Sequence, residues 1–339
     1  MVRHNILRPM TLPIDSPGYL DVHLIQTLNT EKSFIITTHK NSDGDGVGSA
    51  VALYWGLLQK NKNVQFYHVD PIPGRYHFLL KNTASHLFQF EEMKTLEADV
   101  LLITDTNQGS LCDPLYTHFK SLNKKIIFVD HHLPSSTPIS DEKYYVRTDA
   151  SSTGEVVYDI LKELKTKMTP EIATALYTSI TFDTQAFKLL RNSARSHEIA
   201  ALLAKDNIET DKIQRELFAT WTVQKMNFLA TLIQSARYSK NNTVAGFTIT
   251  QEQLKKYELQ LDHINDILDM FTLIKTVEFC YNIIEMPDNC FKLSFRSINS
   301  NKAFVVAESF HGGGHAKSAG AWITQGSAAE IENQILNFF

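Results

Sequence analysis

The stretch Thr38-His39-Lys40-Asn41-Ser42-Asp43-Gly44-Asp45-Gly46 follows an apolar run and places one imidazole and two carboxylates, His39, Asp43 and Asp45, within seven residues. Such a mixed nitrogen and oxygen donor set suits divalent manganese or iron. Asp-Gly-Asp-Gly is also ordinary turn chemistry, so at this point ligand and turn stand side by side. Two other readings fail on the residues themselves. A calcium-binding EF-hand loop starting at Asn41 needs Glu at its twelfth position, where Ala52 stands. A dinucleotide fingerprint needs a third glycine where Gly44 and Gly46 are followed by Ser49.

Three further groups recur at the ends of apolar segments. Leu101-Leu102-Ile103-Thr104 delivers Asp105, Ile126-Ile127-Phe128-Val129 delivers Asp130-His131-His132, and the helical pattern before Thr181-Phe182 delivers Asp183. Taken singly, Asp105 reads equally as a helix cap and Asp183 as a polar helix end. Paired histidines directly after a strand-terminal Asp are less ordinary.

These positions depend on the elements around them. Over the first two hundred residues, β-branched runs alternate with segments of helical spacing, which predicts an α/β fold with a parallel sheet. Expected strands are Ser33–Thr38, Val64–Val69, Asp99–Thr104 and Lys125–Val129. Expected helices are Val47–Gln59, Glu155–Leu164, Ile172–Thr181 and His197–Ala204, with Ser-Ser-Thr-Gly-Glu opening the second and Pro170 the third. In such sheets ligands bind at the carboxyl edge of the strands, where the Asp and His groups fall. The predicted organisation is a catalytic domain over 1–207, a helical linker over 208–239 and a smaller α+β domain over 240–339. Strands are expected in that last domain at Thr243–Thr250, Lys275–Glu285 and Phe291–Arg296 and near Ala321, and a terminal helix through Leu336.

The chain has 339 residues, 43% hydrophobic and 21% charged, the balance of a folded protein. No apolar run reaches the roughly 20 residues of a membrane span, and the amino-terminal residues lack a signal-peptide core, so a cytoplasmic protein with no membrane partner is expected. Cys112, Cys280 and Cys290 are scattered and without a Cys-x-x-Cys pair, which predicts reduced thiols. Lys and Arg number 33 against 37 Asp and Glu, a formal net charge of −4. With no basic tract to release counterions from a long phosphate backbone, any nucleic-acid substrate is expected to be short and held locally.

Taken in order, the motifs resemble those of the DHH phosphoesterases. His39-x-Asn41-x-Asp43-x-Asp45 and Asp130-His131-His132 match the family's first and third motifs, Asp105 and Asp183 its second and fourth aspartates, and Asp149–Glu155 the segment that follows Asp-His-His. His311-Gly312-Gly313-Gly314-His315, then Ser318-Ala319-Gly320, is similar to the glycine-rich motif of the DHH-associated substrate domain, with Arg296 and Ser297 on its strand motif. The resemblance spans about Phe34 to Thr324 and is nearest to the bacterial nano-RNase group, whose members degrade short RNA and dephosphorylate 3′-phosphoadenosine 5′-phosphate. Gln185 departs from the family pattern, which has glycine after Asp-Thr.

The resemblance implies two divalent metal ions, manganese first. His39, Asp43 and Asp105 would hold one, and Asp45, Asp105, His131 and Asp183 the other, with Asp105 shared. Two such ions supply an attacking hydroxide and clamp a phosphate. It also implies that Asp130 orients a histidine, and that His132, Arg296, the Gly312–Gly314 turn and His315 contact the substrate phosphate. Expected partners are short RNA or DNA oligonucleotides or small nucleotides, and a homodimer is compatible with all of this. The alternatives within the superfamily are a cyclic or linear dinucleotide phosphodiesterase and a manganese-type inorganic pyrophosphatase. Outside it stands a non-catalytic nucleotide-binding module.

Overall fold

The computed structural model describes residues 22–89, 96–133, 143–191, 193–219 and 221–339. The amino-terminal residues weighed for a leader lie outside them. The chain forms two compact units, Met1–Thr220 and Trp221–Phe339. No helix among the described residues is long and apolar enough to cross a membrane.

The first unit contains α1 (Val22–Thr30), β1 (Ser33–Thr38), α2 (Gly44–Leu58), β2 (Asn63–His68), β3 (Ser85–Leu87), β4 (Val100–Thr104), α3 (Leu115–Ser121), β5 (Lys125–Asp130), β6 (Lys143–Val146), α4 (Thr153–Glu163), α5 (Pro170–Asp183), α6 (Ser193–Leu203) and α7 (Thr210–Phe218). Its strands form one parallel sheet in the order β3-β2-β1-β4-β5-β6. The expected parallel sheet is therefore present, with two short strands, β3 and β6, added at its edges. The apolar runs of β1, β4 and β5 are continuous because both faces are covered. Phe34, Ile36, Val100, Leu102, Ile127 and Val129 belong to the core shared with α2, α4 and α5. Ile35, Leu101, Ile103, Ile126 and Phe128 pack on the α3 side with Leu115, Tyr116 and Phe119.

Order reverses between β1 and β4. The chain winds outward from β1 through β2 to β3, then returns beside β1 as β4 and winds the other way, so the loops after β1 and β4 diverge and leave a crevice at their carboxyl ends. Helix α2 begins in that crevice and is buried along most of its length. Four glycines, Gly44, Gly46, Gly48 and Gly56, weaken it intrinsically, so tertiary packing must hold it.

The second unit contains α8 (Val223–Ser235), β7 (Arg237–Ser239), β8 (Val244–Ile249), α9 (Gln251–Lys256), α10 (Ile267–Phe271), β9 (Phe279–Glu285), β10 (Phe291–Ser297), α11 (Lys302–Ser309), β11 (Gly313–His315), β12 (Ser318–Ile323) and α12 (Ala328–Leu336). Its sheet order is β11-β12-β10-β9-β8-β7, antiparallel except for β8 with β9. One face packs Tyr281, Leu293 and Phe295 against Ala303 and Val306 of α11 and Ile331 and Ile335 of α12. The other is covered at Ala245, Phe247, Cys280 and Ile284 by α8, α9 and α10. The segment 208–239, expected to be a helical linker, is divided between the units. Ile213 and Leu217 of α7 enter the first core, while Phe228, Leu229 and Leu232 of α8 enter the second. Each helix carries its own apolar face and buries it locally rather than bridging as a free rod.

A Cβ on Gly48 would lie 2.5 Å from the carbonyl oxygen of Ala175, backbone of α5 that has nowhere to go. Gly48→Ala is expected to destabilise the first unit by about 1–3 kcal/mol through overpacking, read as a lower urea midpoint at unchanged slope. An unchanged or higher midpoint would contradict the close α2–α5 contact.

Candidate metal centre and substrate recess

Each strand end in the crevice contributes a ligand-type side chain. Asp43, the N-cap of α2, accepts from the backbone N–H of Asp45 (3.0 Å) and Gly46 (3.1 Å). Asp45, one residue inside the helix, is fully buried. It accepts from the N–H groups of Thr153 (2.7 Å) and Gly154 (3.1 Å), from Ser49 Oγ (3.3 Å) and from Ser179 Oγ. The first turn of α4 thus points its unsatisfied amides at this carboxylate, the arrangement by which a helix N-terminus stabilises an anion. Asp105 follows β4 with φ +63°, in the left-handed region that Asp tolerates better than most residues. It accepts from Thr153 Oγ1 at 3.0 Å.

The histidine tautomers follow from their partners. His39 Nδ1 lies 2.8 Å from the Lys40 carbonyl and His131 Nδ1 3.3 Å from the Ala150 carbonyl. A carbonyl only accepts, so each Nδ1 carries the proton and each Nε2 presents a lone pair, the state a metal requires. His39 Nε2 is 3.4 Å from Asp105 Oδ2. His131 Nε2 is buried without a hydrogen-bond partner among the described residues, 3.4 Å from Asp183 Oδ2, 3.5 Å from Asp45 Oδ2 and 3.8 Å from Asp105 Oδ1. Burial holds its pKa below the usual histidine value despite Asp45 nearby, which keeps the ring neutral. A lone pair facing carboxylate oxygens in a buried site is unfavourable unless a proton or a cation lies among them, and the nitrogen and oxygen donors fit a divalent ion. The described residues form three groupings able to hold one, His39–Asp43–Asp105, Asp45–His131–Asp183 and Asp105–His131–His132.

Asp130 has a different role in this geometry. Buried at the end of β5, its Oδ1 accepts from the N–H of His131 (2.8 Å), the N–H of His132 (3.2 Å) and His132 Nδ1 (2.8 Å), and its Oδ2 from Asn107 Nδ2 (2.9 Å). Burial lifts its pKa, but these hydrogen bonds outweigh it and hold the group below the ordinary aspartate value. In return the Asp130 hydrogen bond raises the pKa of His132 above the usual histidine value. The His132 side chain is half exposed and lines a recess of about 500 Å³ with His39, Asp43, Asp105, Asp183 and Arg191.

Several contributors escaped the sequence reading. Arg191 stands at the rim of this acidic recess and donates through Nη1 to the His131 carbonyl at 2.7 Å, with no local pattern to announce it. Thr153 was legible only as part of a helix start, and Asn107 and Ser179 carried no signal. After Asp183, the chain turns through three left-handed residues, Gln185 (φ 49°), Ala186 (φ 57°) and Phe187 (φ 65°). Gln185 therefore adopts the conformation that glycine would take there without steric cost.

Of the residues expected to touch substrate from the second unit, Arg296, Gly313 and Gly314 line a recess of about 370 Å³ together with Lys292, Ser318 and Trp322, and Gly312 and His315 are not among its lining. Arg296 Nε donates to Asp269 Oδ1 at 2.6 Å, a pairing that fixes its fork. The expected glycine turn is instead strand β11, with Gly313, Gly314 and His315 paired to Gly320, Ala319 and Ser318. Gly312 is demanded by packing, since a Cβ there would lie 2.1 Å from the Gly320 carbonyl oxygen.

Burial first, then Asp45 and Asp43, push Asp183 up to about 8; the same causes raise Asp105, and burial with Asp45 raises Asp43. Below pH of about 8 the metal-free centre therefore retains protons that an entering cation must displace. Manganese affinity is expected to rise with pH toward that value, with proton release measurable by calorimetry in buffers of different ionisation enthalpy. Affinity independent of pH between 6 and about 8 would contradict the coupling.

Residues 33–180 match the DHH family, N-terminal domain. The chain is 26% identical over 306 residues to the probable bifunctional oligoribonuclease and PAP phosphatase NrnA of Streptococcus mutans, covering 88% of this chain and 92% of that one. It is 24% identical over 330 residues to a membrane protein–large ribosomal subunit bL9 fusion protein of Aster yellows witches'-broom phytoplasma, covering 93% of this chain but only 38% of that protein's length. Among solved structures, an exopolyphosphatase-related protein from Bacteroides fragilis superposes with TM-score 0.80 at 22% identity, over 93% of this chain and 95% of that one. A domain of the DHH family thus covers residues 33–180 of the first unit, with the matching motif residues gathered at the switch point of the sheet.

Proposed function

We propose that this chain uses two divalent cations, manganese first, to hydrolyse the phosphodiester bonds of short oligonucleotides and to dephosphorylate 3′-phosphoadenosine 5′-phosphate. The observation that carries the reading is the pair of ligand groups that meet at Asp105. His39, Asp43 and Asp105 form one, and Asp45, His131 and Asp183 form the other, with Asp105 Oδ1 3.8 Å from His131 Nε2. The name of the Streptococcus mutans relative, similar over nearly its whole length, supports the nucleotide substrate class.

Bound cations would lower the pKa of a water and neutralise phosphate charge. The chain's own residues do the rest. Asp45, held by the α4 amides and two hydroxyls, and Asp105, held by Thr153, keep the ligand oxygens in place before substrate arrives. His132, whose protonated form the Asp130 hydrogen bond favours, lines the recess and serves two steps: it donates to a phosphate oxygen, then delivers its proton to the leaving alcohol oxygen as the phosphorus–oxygen bond breaks. In the second unit Arg296, braced by Asp269, with Gly312, Gly313, Gly314 and His315, contributes to phosphate recognition.

Asp105→Ala removes a donor from the first group and the carboxylate that lies 3.8 Å from His131 of the second, so turnover should fall by more than the roughly 10- to 100-fold typical of a residue that only supports a ligand, and bound metal should fall with it. Full metal occupancy with near-normal turnover would refute the assignment. Because the net charge of −4 leaves little counterion-release affinity, kcat/KM should peak at about two to five nucleotides and not climb toward about 24 at fixed salt and manganese. A steady rise with length would point to a processive nuclease. Including a cyclic dinucleotide and pyrophosphate in the same panel separates the neighbouring activities of the superfamily.

A further inference from the structure

Strand alternation in the second unit leaves one part of a sheet face uncovered. On β10, Phe291, Leu293 and Phe295 face the core under α11 and α12, so Lys292, Ser294 and Arg296 face the other way. On β12, Ala319 and Ala321 join that core, so Ser318, Gly320 and Trp322 share the open face. The register sets Lys292 opposite Trp322, Ser294 opposite Gly320 and Arg296 opposite Ser318. Helices α8 to α10 cover this face at β8 and β9, while at β10 and β12 it forms the recess described above.

Trp322 is 59% exposed there, whereas a large indole is usually well buried. Beside it Gly320 presents no side chain, which leaves a shallow floor between the indole and Arg296. Arg296 and Lys292, four residues apart on one strand, are separated by about 13 Å. The row thus offers an aromatic plane and a cation at one end, a bare floor in the middle and a braced guanidinium at the other.

From this juxtaposition we infer that Trp322 is the base-stacking platform of the substrate recess, with Lys292 beside it for the phosphate attached to the stacked nucleoside. Every base has a π-face, so such a platform binds nucleotides without strong sequence preference. It also selects nucleotide over inorganic phosphate esters. The inference rests on the proposed nucleotide phosphoesterase reading.

The test uses the full chain with manganese and four versions of a 5′-phosphorylated diadenylate: intact, abasic at either position, and abasic at both. Trp322→Ala should lower kcat/KM on the intact dinucleotide roughly 5- to 150-fold, the range of one base–aromatic stack. The loss should vanish on the doubly abasic substrate, and Trp322→Phe should restore most of the activity. No loss on the intact substrate, or an equal loss on the doubly abasic one, would overturn the platform. If the wild-type protein hydrolyses none of the panel, the proposed activity fails and binding still decides the platform. Intact diadenylate in EDTA should quench tryptophan fluorescence in the wild type and not in Trp322→Phe. Quenching that persists in that variant would belong to Trp55 or Trp221, and this outcome or no quenching at all would refute the stacking role.

Discussion

Four carboxylates, Asp43, Asp45, Asp105 and Asp183, share a small volume at the carboxyl edge of the first sheet, and the organisation around them is a response to that crowding. Burial and mutual repulsion raise the pKa of Asp105, Asp43 and Asp183. The consequence for stability has a definite sign. A carboxyl with a raised native pKa keeps its proton in the folded chain after the unfolded chain has released it, so stability falls as pH rises from the ordinary aspartate range to the raised value, about 8 for Asp183, and the deficit persists above it. A divalent cation held by these carboxylates would replace those protons and offset the deficit, coupling the stability of this edge to the ion.

Much of the surrounding structure satisfies what the cation would not. Thr153, Gly154, Ser49 and Ser179 donate to Asp45, and the two ring Nδ1 protons of His39 and His131 are directed to backbone carbonyls. Asp105 holds a left-handed backbone conformation, the kind of local strain that recurs at functional sites when surrounding packing enforces it. Helix α2 is rich in glycine because its start must approach both Asp105 and α5. The same feature that weakens it as an isolated helix permits the ligands at its first turn to meet their partners.

The second unit works by exposure instead of burial. One face of its sheet is packed and part of the other is left open, so side chains that alternate outward form an exposed row. Asp269 supplies the ion pair that orients Arg296, and Tyr281 Oη donates to the buried Glu332 on the opposite, packed side. The two units thus meet different physical demands: a dry, preorganised charge cluster in one, an accessible aromatic and cationic surface in the other.

How much of this was legible in the sequence follows from how local each signal is. Apolar runs ending in Asp or His mark strand ends because chain direction alone places the next residue at the carboxyl edge, so His39, Asp105, Asp130 and His131 could be named from spacing, and Asp43 and Asp45 at the start of α2 and Asp183 at the end of α5 from motif order. Strands β3 and β6 were missed because they are short edge strands, and the linker because two neighbouring amphipathic helices read alike whichever core each one joins. Arg191, Asn107, Ser179 and Asp269 act through partners 23 to 134 residues away, separations that no periodicity encodes. The sequence by itself determined the parallel sheet, the ligand-type residues and the likeness of residues 33–180 to the DHH family, since these depend on residue type and local order. Only the tertiary structure decided which carboxylate is dry, which histidine nitrogen carries the proton, that Asp130 serves His132, and that Trp322 stands on an uncovered face, because each depends on what packing brings alongside.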